Sequence, residues 1–182
     1  MIQRYHYLVV ITHWLSAILI VCAIGVGMGV LADMHNSNPD KVDFLRIHVI
    51  GGILILVLTL IRIMVRLWKP VPSSDYFENS WLNRSGRSVH ILLYAVLLGV
   101  LVSGIGISAL SGLPDIVFFG KGQLPDTFRT FPPHAAHGVL ALIFSVLLLL
   151  HIFAAIYHQL IRKDDIFSRM WYGKIRKSNS CK

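Results

Sequence analysis

Histidine is the residue type in this sequence whose number and spacing most directly indicate chemistry. The chain has nine histidines among 182 residues, of which 55% are hydrophobic and 14% charged. His137, His151 and His158 follow one another at intervals of fourteen and seven residues. An α-helix turns 100° per residue, so fourteen residues end only about 40° short of four turns, and seven more add about 20°. The three imidazoles therefore share one face of a helix, and the first two lie about 21 Å apart along it.

Four long apolar segments must position these histidines. They cover about residues 8–31, 47–68, 89–110 and 134–161. Each reaches the roughly 20 residues that a helix needs to cross about 30 Å of hydrocarbon. Helices satisfy their own backbone hydrogen bonds in lipid, so we predict an all-α fold: an integral membrane four-helix bundle forming one domain over residues 1–182. A cleaved signal peptide is the weaker interpretation of the first segment, because its apolar run is too long and no A-x-A site ends it.

The distribution of basic residues predicts the orientation of this bundle. Thirteen of the seventeen lysines and arginines fall on one side: Arg4, Arg62, Arg66, Lys69, Arg84, Arg87 and seven residues after Leu160. Four fall on the other: Lys41, Arg46, Lys121 and Arg129. The positive-inside rule then places both termini in the cytoplasm, and the net charge of +8 gives no reason to expect nucleic acid. We also expect a polar cytoplasmic loop over residues 70–87, with a short interfacial helix around Trp81, and a basic C-terminal tail on the membrane surface.

Partner histidines at matching depths predict two stacked cofactors. In the predicted topology His48 lies at the depth of His137, and His13 at the depth of His151. Two imidazoles facing each other across a bundle suit the axial positions of a haem iron, whereas zinc needs three or four ligands at one depth. The chain has no C-x-x-C-H motif, so covalent c-type attachment is excluded. The alternative is a haem-free bundle, since a single intramembrane histidine is often a hydrogen-bonded packing residue.

Glycines and one arginine near His48 fit the same prediction. Gly51 and Gly52 follow His48 by about one turn and would let the backbone approach a macrocycle, as would Gly25, Gly27 and Gly29 in the first helix and Gly138 beside His137. Close packing of helices through small residues is an equal alternative for each glycine. Arg46 precedes His48 by two residues and could pair with haem propionates.

With these residues in view, the chain resembles the bacterial cytochrome b561 family, small di-haem cytochromes of the inner membrane. The resemblance runs through Thr12-His13-Trp14-Leu15, Arg46-Ile47-His48, His90, Leu93-Tyr94, His137, His151, His158 and Lys163-Asp164. The spacing of fourteen is also similar to that in the cytochrome b subunits of formate dehydrogenases and nickel–iron hydrogenases. The family pattern implies two haem b groups with His13, His48, His137 and His151 as axial ligands.

The resemblance also implies an activity, since a family member oxidises superoxide and reduces ubiquinone. Such a superoxide:ubiquinone oxidoreductase would need cations that steer the anion to the periplasmic haem, and Lys41, Lys121 and Arg129 are the candidates. Acidic residues nearby would weaken that field: Asp40, Asp43, Asp115 and Asp126. His158, and after it His90, could donate a proton to ubiquinone near the cytoplasmic haem, or could simply be interfacial residues. A non-catalytic carrier between the quinone pool and a periplasmic or membrane partner is the alternative function.

Overall fold

The computed structural model describes residues 6–68, 80–163 and 170, with residues 80–85 described by their backbone alone. Five α-helices follow one another in this part of the chain: α1 Tyr7–Val26, α2 Lys41–Trp68, α3 Ser80–Leu110, α4 Leu113–Phe119 and α5 Pro132–Tyr157. A π-helical turn extends α1 over Gly27–Leu31, another extends α5 over His158–Arg162, and Phe128–Thr130 form a 3₁₀ turn. The described residues contain no strand, so the all-α prediction is confirmed.

Four helical stretches are long and apolar enough to span a membrane: Tyr7–Leu31, Lys41–Trp68, Gly86–Leu110 and Pro132–Arg162. Large apolar side chains on all four stay exposed on the outside of the bundle, among them Ile18, Leu67, Val102 and Leu160. Apolar surface this extensive is stable only in contact with lipid. The four predicted spans are confirmed, and the side on which the termini lie stays a prediction.

Two helices begin earlier than hydropathy indicates. α2 starts at residue 41 rather than 47, and α3 at residue 80 rather than 89. Polar residues can continue a helix beyond the hydrocarbon, and a hydropathy pattern cannot register such extensions. The expected interfacial helix around Trp81 is therefore the first part of α3. The remainder of the expected loop, over residues 69–79, and the basic tail apart from residue 170 lie outside the described residues.

α4 covers one end of the bundle, in the segment between the third and fourth predicted spans. Gly112 and Gly120 bound it with φ angles of 63° and 65°, a backbone region that glycine enters without steric cost. Leu113 and Val117 are buried against Leu45 of α2. We call the end that carries α4 and the α1–α2 connection the upper end, which is the predicted periplasmic end. The lower end, where α1 begins and α2 ends, is the predicted cytoplasmic end.

A layer of four buried apolar side chains lies at mid-height in the bundle. It takes one residue from each spanning helix: Ile20, Ile55, Leu97 and Phe144. Phe144 follows His137 by seven residues and precedes His151 by seven, so it lies halfway between them. We call these four residues the apolar layer. It separates the histidines of the upper end from those of the lower end.

Candidate functional site

The upper end brings two of the predicted ligands close together. The rings of His48 on α2 and His137 on α5 have centroids 6.2 Å apart and planes inclined at 78°. Metal–nitrogen bonds of about 2.0 Å on either side of one ion would separate two imidazole centroids by roughly 6.3 Å. The spacing of the two rings therefore fits bis-imidazole coordination of a single iron. We call His48 and His137 the upper histidine pair.

α3 determines which nitrogen of His137 is available to a metal. Nδ1 of His137 lies 3.0 Å from the backbone carbonyl oxygen of Val100 and 3.2 Å from Oγ of Ser103. The Ser103 hydroxyl itself donates to the Val100 carbonyl at 2.8 Å. A carbonyl oxygen only accepts hydrogen bonds, so Nδ1 of His137 must carry the proton. Its Nε2 then keeps a lone pair, as an axial ligand requires.

The first helix holds His48 through one backbone hydrogen bond, between Ala23 and the imidazole, and through close contact with Gly27. Nδ1 of His48 is buried and has no hydrogen-bond partner among the described residues. A Cβ atom added to Gly27 would lie 2.9 Å from Cε1 of His48, and one added to Gly104 would lie 3.2 Å from Cε1 of His137. The glycines of α1 and α3 thus leave room for the two imidazoles at close range. Of the two glycines, Gly27 was predicted from the sequence to border a macrocycle, and Gly104 was not predicted.

Open space lies beside the upper pair. A cavity of about 250 Å³ between α1 and α2 is lined by His48, Gly51, Leu19, Cys22, Val26 and others. Gly51 and Gly52 have no atom within 4 Å of a hypothetical Cβ. Both glycines therefore border open space rather than a packed neighbouring helix, and Gly51 lines the cavity.

The lower end gathers three histidines and an arginine. The rings of His90 and His151 have centroids 5.4 Å apart and planes at 78°, which is too close for an iron between them. His13 lies within electrostatic range of His151, His90 and Arg62, and its buried Nδ1 has no hydrogen-bond partner in the described part of the chain. The structure therefore places the predicted partners His13 and His151 in one cluster. It adds His90, which the sequence assigned to quinone chemistry.

His90 is oriented by its own helix. Its Nδ1 donates to the backbone carbonyl of Gly86 at 2.7 Å, so its Nε2 carries a lone pair directed away from that turn. Tyr94 follows His90 by one helical turn, and the guanidinium of Arg62 lies 5.4 Å from the centre of the Tyr94 ring. Arg62 lies within electrostatic range of both His90 and His151, so a cation and a ring nitrogen with a lone pair lie together at this end of the bundle.

Arg46 and Lys41 make contacts that their predicted roles do not include. Arg46 forms an ion pair with Asp43 at 2.6 Å and also donates to the backbone carbonyl of Val117 on α4. A haem propionate would have to compete with both groups. Lys41 is buried, and its ammonium donates to the backbone carbonyls of Leu31 and Met34 at the end of the first span. This contact makes Lys41 a helix cap rather than a surface cation.

The remaining predicted residues lie at the two ends of the bundle. Lys121 and Arg129 are exposed in the upper connection between α4 and α5. His158 is half-buried at the start of the lower π-helical turn, with its ring 5.9 Å from that of Tyr157. No group of three or more histidine, cysteine, aspartate or glutamate side chains in the described ranges could hold a metal ion.

A membrane-spanning bundle with imidazoles paired across its core defines the class of helical membrane cytochromes. The comparison with known families agrees: residues 4–173 match the prokaryotic cytochrome b561 family. Cytochrome b561 homolog 2 of Escherichia coli strain K12 is 30% identical in an alignment 178 residues long that covers 92% of this chain and 91% of the relative. The chain belongs to the prokaryotic cytochrome b561 family. Membership indicates binding of b-type haem and haem-dependent electron transfer in a membrane.

Proposed function

We propose that the protein binds two haem b groups and carries electrons from superoxide at the upper end to ubiquinone at the lower end, as a superoxide:ubiquinone oxidoreductase of the bacterial inner membrane. His48 and His137 are the proposed axial ligands of one haem, and His13 and His151 those of the other. The observation that carries the proposal is the upper histidine pair, whose spacing of 6.2 Å fits one iron, together with a second histidine cluster below the apolar layer.

Two one-electron steps balance the proposed reaction. Two superoxide ions each lose one electron and leave as oxygen, and one ubiquinone gains two electrons and two protons to become ubiquinol. The bound haems supply one-electron redox chemistry in a water-poor core. The protein supplies the imidazoles that would bind the two irons. Lys121 and Arg129 at the upper surface would attract the anion, and ring nitrogens at the lower end would transfer protons.

The lower cluster supports quinone reduction through three groups. His90 presents Nε2 close to His151, and Arg62 supplies positive charge at the same depth. His158, nearer the membrane surface, is the proposed donor that exchanges protons with the cytoplasm. Histidine suits this role because its ordinary pKa lies near neutral pH. Lys41 is left out of the proposed steering residues because its ammonium caps the first span.

A direct test uses purified protein in detergent with a soluble ubiquinone analogue. We expect two haem b per chain and rapid consumption of superoxide that depends on added quinone and on no other protein. His48→Ala should abolish this activity, and His134→Ala, which changes a histidine one turn from His137 but outside the proposed pairs, is the matched control. Two haems without quinone-dependent superoxide consumption would favour the carrier function. A colourless preparation would exclude both functions.

A further inference from the structure

The two rings of the upper pair are crossed, and contacts from two other helices hold them that way. The planes of His48 and His137 meet at 78°. Each ring is contacted by a neighbouring span: the backbone of Ala23 hydrogen-bonds to His48, which also lies against Gly27 of the first span, and His137 of α5 lies against Ser103 and Gly104 of α3. The orientation of each imidazole is therefore set by a neighbouring helix.

We propose that Gly27, Ser103 and Gly104 are positioning residues that keep the axial imidazoles of the upper haem crossed. The inference rests on the proposed haem site and adds what fixes its geometry. The hydrogen bonds to Val100 and Ser103 determine the direction of the His137 ring. The two glycines permit a ring at distances where a methyl group would collide with it.

The glycine contacts are close enough to act on ring orientation. A Cβ at Gly27 would come within 2.9 Å of Cε1 and 3.5 Å of Nδ1 of His48. A Cβ at Gly104 would come within 3.2 Å of Cε1 and 3.4 Å of Nδ1 of His137. Interiors are close-packed, so each added methyl must displace the imidazole that it meets. We expect rotation of that ring to relieve the contact.

Crossed and parallel imidazoles give a ferric haem different electronic structures. Each axial ring donates π-electron density mainly into the iron d orbital perpendicular to its own plane. Crossed rings raise two d orbitals equally and leave a strongly anisotropic low-spin EPR signal, whereas parallel rings separate them and reduce the anisotropy. Axial-ligand geometry is among the means by which a protein adjusts a haem. The EPR spectrum therefore reports ring orientation independently of catalytic activity.

The test is EPR of the oxidised protein together with its haem content, on Gly27→Ala and Gly104→Ala. The matched control is Gly99→Ala, also on α3, because its Cβ would lie 3.1 Å from Cδ1 of Leu140, a flexible side chain rather than an imidazole. We expect a strongly anisotropic signal in the parent protein that is absent in His48→Ala, which assigns it to the upper haem. In each test variant this signal should move toward lower anisotropy, with the second signal and the spectrum of Gly99→Ala unchanged.

Ser103→Ala tests the inference without adding an atom, so it remains informative if the glycine variants do not fold. Loss of the hydroxyl should shift the upper signal, and Ser103→Thr should restore it. Ser145→Ala is the control, since Ser145 donates to the carbonyl of Ala141 of its own helix at 2.8 Å and to Sδ of Met28 at 3.6 Å. Unchanged upper signals in Ser103→Ala, or a parent signal typical of parallel rings, would overturn the inference while leaving the haem site standing. Absence of haem from the parent protein would overturn the proposed function first.

Discussion

The upper and lower ends of the bundle use the same residue type in different arrangements. The upper end has one pair of rings, 6.2 Å apart, with glycines against both and a carbonyl that fixes one tautomer. The lower end has three histidines at one depth, beside Arg62, with two of the rings 5.4 Å apart. Two rings with fixed neighbours suit a single task, which is to hold one iron. Three rings and a cation leave one imidazole for a reaction beyond coordination.

Removal of an axial ligand should produce the largest effect and would break the comparison most directly. His48→Ala and His137→Ala should each lose the same haem, while His13→Ala and His151→Ala should each lose the other, so haem content falls from two to one per chain. Thermal unfolding should also shift, because a cofactor present at about 1,000 times its Kd stabilises the native state by about 4 kcal/mol. Haem content and optical spectra of the four variants check this. Loss of the same spectral species in His48→Ala and His13→Ala would show that the pairing is wrong.

His90, the third histidine of the lower end, tests whether that end has an imidazole that does not bind iron. His90→Ala should keep both haems and slow quinone reduction about 100-fold, because a positioned acid–base group that takes up a proton at Nε2 and passes it to the quinone typically contributes 10²- to 10⁴-fold. His158→Ala should act in the same direction. Stopped-flow reduction of a ubiquinone analogue measures the rate, with haem content as the control. If His90→Ala loses a haem, His90 is an axial ligand and the lower end has no spare imidazole of the kind proposed.

Charge at the upper surface should have a smaller effect. Lys121→Gln combined with Arg129→Gln should reduce the rate of superoxide consumption by up to about tenfold at low ionic strength, because the two exposed cations attract the anion. The difference from the parent protein should shrink as salt screens these charges. Rates measured at two salt concentrations separate steering from damage to the site. A loss that is independent of salt would contradict a steering role.

Lys41 should have the smallest effect on capture of superoxide, although it was a steering candidate from the sequence. Lys41→Met removes the hydrogen bonds to the carbonyls of Leu31 and Met34 and should lower the stability by about 2 kcal/mol. The superoxide rate of the folded protein should stay at the parent value. Thermal unfolding in detergent and the same kinetic assay give the two numbers. A slower, salt-dependent rate of superoxide consumption in Lys41→Met would show that Lys41 does steer the anion.

Hydropathy and helical periodicity were sufficient to predict the four spans and the grouping of histidines by depth. Spans are set by the thickness of hydrocarbon, and depth follows from a fixed rise per residue. The contacts of Ser103 and Gly104 with His137 could not be predicted, because they depend on the rotation and register of α3 against α5. α4 left a signal that was overlooked: Leu113, Ile116 and Val117 have the spacing of a buried helical face between two glycines.

The charge of Lys41 shows a different limit. From the sequence alone, a lysine near a predicted membrane surface is expected to be a surface cation. The long side chain of Lys41 instead lets its ammonium reach back to the terminal carbonyls of the preceding helix. The same holds for His90, whose distance from His151 depends on the packing of two helices that are far apart in sequence. Residue type and depth indicate what a group can do, and packing decides which partner it meets.

If electrons cross between the two ends as proposed, the apolar layer makes that transfer sensitive to membrane voltage. Ile20, Ile55, Leu97 and Phe144 give water and protons no polar partner between the histidine clusters, so an electron crosses without a compensating proton beside it. In the proposed orientation that electron moves toward the negative side over about 21 Å of a core about 30 Å thick, at a cost of roughly 1.6 kcal/mol per 100 mV. Each 100 mV of membrane potential would thus disfavour electron transfer toward the cytoplasmic side about tenfold. The respiratory state of the cell would therefore influence the direction of electron transfer.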